Sequence, residues 1–117
     1  MKPLFWMGSS LKDLKALPDE VQGVIGRELM DVQFGGQPLN AKPLKGLGSR
    51  VYEIMEDFDT NTFRGVYTVR FTDAVYVLHV FQKKSRYGSE TPQHEIELVR
   101  NRLRQAEEHY TWWRRTR

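Results

Sequence analysis

The chain has no cysteine. That excludes disulfides, thiol catalysis and cysteine-ligated zinc. Histidine is scarce, and the three present (His79, His94 and His109) have no metal-ligand spacing, so no metal or other cofactor is expected. Long hydrophobic runs are missing as well. The longest, residues 75–81 with His79 inside it, is far too short to span a bilayer, and the first residues lack the apolar stretch of a secretory signal. These absences lead to the expectation of a soluble, cytoplasmic protein with no membrane partner. What remains is ordinary globular composition: 117 residues, 39% hydrophobic and 28% charged. That is enough for one core and one domain. Residues 1–110 are expected to form it, with 111–117 as a basic tail.

The net charge of +3 is a remainder of larger local charges. Residues 1–40 sum to −1, 41–88 to +3, 89–110 to −2, and the TWWRRTR tail to +3. Within the middle block Lys42, Lys45 and Arg50 come without an intervening acid, and Lys83, Lys84 and Arg86 cluster in KKSR. Positive charge bunched this way suits a polyanion better than the total does.

Periodicity divides the chain in two. A short strand is expected at 4–7, then a helix capped by Ser9 or Ser10. Pro18 is expected to open a second helix, in which Val21, Val24, Ile25, Leu29 and Val32 repeat at a helical spacing. Gly35 and Gly36 stop it, and 37–49 reads as a loop. Residues 50–57, 63–71 and 74–84 are rich in Val, Tyr, Phe and Thr and are joined by short links, which predicts an antiparallel meander. Thr91-Pro92 opens a last helix with Ile96, Val99, Leu103, Ala106 and Tyr110 on one face. On that helix Glu95 and Glu97 are expected on solvent faces, and His94 and His109 at the surface. The order is β-α-α-β-β-β-α, an α+β fold with helices on one face of an antiparallel sheet.

With Thr72-Asp73 as a two-residue turn, Arg64 pairs with Phe81 and Val66 with His79; a three-residue loop shifts the register by one. One face then carries Phe63, Tyr67, Val69, Phe71, Tyr76, Leu78 and Val80. The other carries Arg64, Thr68, Arg70, His79, Phe81 and Lys83 (or Lys84 in the shifted register). Like charges gathered on a sheet repel unless an anion sits between them, and a groove with Arg, Lys and aromatic groups suits a phosphodiester backbone.

The ordered series KPLKGLG, YEI, FRGVYTVRF, VYVLHVFQKKS and TPQHEIELVRNRL resembles the RelE/HigB superfamily of bacterial toxins, and most of all its phage-related, HigB-like branch. The likeness runs from about Phe5 to Glu108. It implies a RelE-like fold and a metal-independent, ribosome-dependent mRNA endoribonuclease that inhibits translation. It also implies pairing with a small antitoxin, usually a helix-turn-helix protein. Carried over residue by residue, the strand arginine is Arg64, followed by Tyr67, and the basic residue ending the last strand is Lys83 or Lys84. Lys45 matches the lysine before the strand. The implied roles are Arg64 with Lys83 or Lys84 on the scissile phosphate, and Tyr87 or His79 for proton transfer. Lys42, Lys45, Arg50 and Arg86 bind flanking RNA. Two features depart from the pattern: Met55 stands where an arginine is common, and 86–90 is recast. A second class of function therefore stays open, a non-catalytic toxin that serves as antitoxin partner and co-repressor, or a ParE-like toxin directed at gyrase.

Overall fold

The computed structural model describes residues 1–83 and 91–117. The elements are β1 (Leu4–Trp6), α1 (Ser10–Lys15), α2 (Asp19–Gln33), β2 (Ala41–Pro43), β3 (Val51–Phe58), β4 (Asn61–Thr68), β5 (Val75–Lys83) and α3 (Gln93–Thr116). They form one five-stranded sheet in the order β1-β5-β4-β3-β2, with β1 parallel to β5 and every other pair antiparallel. The α+β class expected from the sequence is the class observed. Among the described residues no helix is long and apolar enough to cross a membrane.

Local chemistry explains most boundaries. Pro18 and Pro92 sit just outside α2 and α3 as their N-caps, with φ of −54° and −56°. A proline there gives up no helical N–H. Asp19 and Glu20 follow in the first turn of α2, where the helix dipole favours acids. At the other end Gly35 turns to φ +93°, its N–H donating to the Val32 carbonyl and that of Gly36 to Asp31. The stretch expected as a loop contains β2. Pro43 masks it in sequence, but β2 is an edge strand, where a proline is tolerated. The β3–β4 hairpin closes through Asp59 and Thr60, both at positive φ (50° and 65°), as a two-residue hairpin turn requires. The residues expected as a tail continue α3 through Thr116.

The register expected for the last hairpin holds at its far end: Arg64 pairs with Phe81 and Val66 with His79. Closer to the turn it slips, because Tyr67 pairs with Val77 and leaves Leu78 as the extra residue of a bulge. The bulge corrects the expected face assignment. Phe63, Tyr67, Val77 and Val80 pack in one core with Leu14 of α1 and the α2 residues Val21, Ile25 and Leu29. Tyr76 and Leu78 pack in a second core with Val66 and the α3 residues Val99, Leu103 and Ala106. The helices therefore occupy both faces of the sheet rather than one, with α1 and α2 opposite α3. This also explains why β5 shows no polar alternation: both of its sides are buried.

Candidate nucleic-acid interface

The α3 face of the sheet carries the functional candidates. Arg64 lies in mid-β4, opposite Met55 on β3 and Phe81 on β5. Its guanidinium reaches diagonally to Glu53, Nη1 donating to Oε1 at 2.6 Å, with both side chains more than nine-tenths buried. The Thr91 hydroxyl donates to the other Glu53 oxygen at 2.5 Å and accepts from Arg64 Nη1 at 3.3 Å. Two strands and the residue leading into α3 are thus tied by one buried charged network. Sequence reasoning placed Arg64 on an open groove and missed both partners. The available signal was the hairpin itself: once Asp59-Thr60 is read as a two-residue turn, Glu53 falls diagonal to Arg64 on the same face.

His79 is engaged at both ring nitrogens. Nε2 lies 3.1 Å from Glu95 Oε1, and Nδ1 lies 3.4 Å from Nη1 of Arg102, which also donates to the Leu78 carbonyl. An arginine only donates, so Nδ1 accepts and the proton of the neutral ring sits on Nε2, facing Glu95. The ring stacks on Phe81 at 4.6 Å. Burial holds the His79 pKa below its ordinary value, outweighing Glu95, which works in the opposite direction; Arg102 lowers it further and the more distant Asp13 raises it. Glu95 is therefore not on a solvent face as expected. His109 is half-buried: its Nδ1 meets the Tyr76 hydroxyl at 2.7 Å and its ring packs on Phe5 at 4.6 Å. His94 is exposed. Trp113 packs on Phe5 and Tyr110, while Trp112 stays 58% exposed.

The depressed His79 pKa has a signed consequence. The unfolded chain takes up this proton near 6.5, the folded chain only at lower pH. The stability contributed by the neutral ring is complete above 6.5 and is lost as pH falls through the folded value. Urea midpoints measured at about pH 5 and pH 7.5 should differ less for His79→Gln than for the wild type. An unchanged difference would mean that other groups carry the acid sensitivity.

Two grooves flank the start of α3. One, of about 770 Å³, is lined by Asp13, His79, Lys83, His94 and Glu95. The other, of about 580 Å³, holds Lys42, Lys45, Met55, Ile96 and Arg100, with Glu53 and Thr91 at its inner wall. The structure therefore brings Lys42 and Lys45 together and places Arg64 between the grooves. Lys83 is buried at the end of β5, where it pairs with Thr62. Arg50 does not join them: it is exposed beside Tyr52 and Tyr67 in a separate groove next to α2. Arg70 serves the loop before β3, donating to the carbonyls of Leu47 and Ser49. Lys84, Arg86 and Tyr87 lie outside the described residues. Among the described residues no group of three or more His, Asp or Glu side chains is arranged to hold a metal ion.

Chemically, the α3 face places Lys42, Lys45 and Arg100 along one groove and Lys83 along the other, around one charge pair, Arg64 with Glu53, that is already neutralised. No curated protein and no solved structure matches the chain. The family model described as phage derived protein Gp49-like matches residues 12–104. That stretch takes in the sheet from β2 to β5, the helix α2 and the half of α3 that borders both grooves. The chain belongs to the phage-derived Gp49-like family, a toxin-like member of the RelE/HigB superfamily.

Proposed function

We propose that this protein is the toxin of a toxin–antitoxin pair, of the HigB-like branch, and that it cleaves ribosome-bound mRNA without a metal ion. The observation that carries this reading is the grouping of Lys42, Lys45, Arg64 and Lys83 around the start of α3 in a chain of a toxin-like family. In metal-free RNA cleavage the ribose 2′-OH attacks the adjacent phosphorus and the 5′-oxygen leaves with a proton. The protein's share is to neutralise the extra charge on the phosphorane and to hold the attacking oxygen in line. Arg64 and Lys83 serve the charge, and Lys42 and Lys45 hold flanking phosphates. His79 enters proton transfer only by releasing Glu95 or Arg102. The partner is a small helix-turn-helix antitoxin, encoded beside the toxin.

A second reading, binding without cutting, is favoured by one feature: Arg64 is buried and already paired with Glu53, so a phosphate must displace that carboxylate to reach it. Expression of the wild-type chain without an antitoxin separates the two. Under the first reading growth stops, and primer extension finds new 5′ ends within translated messages but not within untranslated ones. Normal growth with intact messages would leave the binding reading alone. Arrest with intact messages would point to another target such as gyrase.

A further inference from the structure

The groove between β2 and α3 has a composition that the reading above does not use in full. Its cations come from three separate elements or loops. Lys42 is on β2, opposite Glu53, and Lys45 lies in the loop before β3. Arg100 is on α3, its Nη1 donating to the Gly46 carbonyl at 3.2 Å, which brings the guanidinium beside Lys45. The acids do not cancel this charge. Glu53 is occupied by Arg64 and Thr91. Glu97 meets Arg100 at 3.6 Å, but the side chains are 56% and 43% exposed, and so open a pair holds weakly. Between the cations the lining is apolar, with Leu44, Met55 and Ile96 half-buried there.

We propose that this groove is a nucleotide subsite for single-stranded RNA. Arg100, with Lys42 and Lys45, takes a backbone phosphate, and the Met55–Ile96 floor takes the adjoining base. The assignment rests on the ribonuclease reading for its biological substrate and adds two things to it: a third cation supplied by α3, and a base-contacting floor. An arginine at position 55 would make this floor a fourth charge. With methionine there, the groove accepts the flat face of a base by dispersion and exclusion of water.

The test compares two probes, a short labelled single-stranded RNA and inorganic polyphosphate of matched charge, on the full chain by fluorescence anisotropy and competition. Wild type should bind RNA at least roughly five-fold more tightly than polyphosphate, the added affinity coming from base contact. Arg100→Gln should weaken both probes by roughly five- to ten-fold and lower the slope of log affinity against log salt by about 0.7 for RNA. Arg100→Lys should restore most of the slope, which a merely structural defect would not do. Met55→Ser should weaken RNA and leave polyphosphate unchanged. Equal binding of both probes by wild type overturns the proposal. So does an Arg100→Gln protein that binds like wild type, or a Met55→Ser protein that loses both probes alike. Cleavage of a translated message is scored separately. Intact message with the expected binding pattern removes the nuclease and keeps the subsite, and cleavage without that pattern does the reverse.

Discussion

Replacing Glu53 by alanine destabilises the fold by about 3–5 kcal/mol. The carboxylate is buried, and both of its oxygens are engaged, one by Arg64 and one by Thr91. Removing it takes the Glu53 carboxylate away from the Arg64 guanidinium, only 4% exposed, in a medium that solvates charge poorly. The loss does not stay local. Glu53 joins β3 to β4 through Arg64, and joins the sheet to the start of α3 through Thr91, so its removal also loosens one wall of each groove. For a domain of this size the loss corresponds to a fall in Tm on the order of 10–25 °C. The pair as a whole contributes far less than either half's removal implies. Replacing both partners with apolar residues, as in Glu53→Met with Arg64→Met, should cost much less than the sum of the single changes. A double-mutant cycle by chemical denaturation measures this directly, and an additive result would mean that the two side chains do not act as a pair.

The same network shows what sequence could and could not supply. The strand positions of Arg64 and His79 were readable, because a short hairpin link and a period of two set which residues lie opposite each other. The α2 stripe was readable because its four buried residues recur at a helical spacing. Two features hid the rest. A bulge at Leu78 changes the face of every β5 residue on its turn side, and no residue type marks it. The burial of β5 on both sides did leave a trace, the unbroken apolar run, but a meander with helices on one face is the simpler reading of short links. In the sequence Glu53 is only the middle residue of YEI, and nothing in that motif marks it as the partner of Arg64, since the ion pair crosses two strands and depends on the twist and register of both. Glu95 looked solvent-facing from helical spacing alone, yet the imidazole of His79 reaches it from the sheet. Position along a helix says which face a residue is on. It does not say whether a neighbouring strand presents a polar group to that face.

Arg64→Ala is the change expected to affect cleavage most. If the guanidinium takes up charge on the phosphorane, its loss lowers the single-turnover rate on a ribosome-bound message by about 10²–10³. The experiment needs care because the residue also carries structure. The substitution leaves Glu53 buried without its guanidinium, so part of any loss reflects a smaller folded fraction. Rates are therefore compared per folded molecule, with the folded fraction taken from denaturation curves under the assay conditions. Two outcomes then separate by size. A loss that disappears after this correction makes Arg64 a positioning residue, acting through Glu53 and Thr91 on the start of α3. A residual loss of 10²–10³ makes it a catalytic residue that must leave Glu53 to meet the phosphate. Arg64→Lys sharpens the distinction. Lysine keeps the charge but not the planar fork, so it should retain more of the phosphate effect than of the bond geometry to Glu53 and Thr91. If lysine rescues stability but not cleavage, the fork itself is what the reaction uses; if it rescues cleavage but not stability, charge alone suffices at the phosphate, and the fork is needed only to hold the sheet to α3.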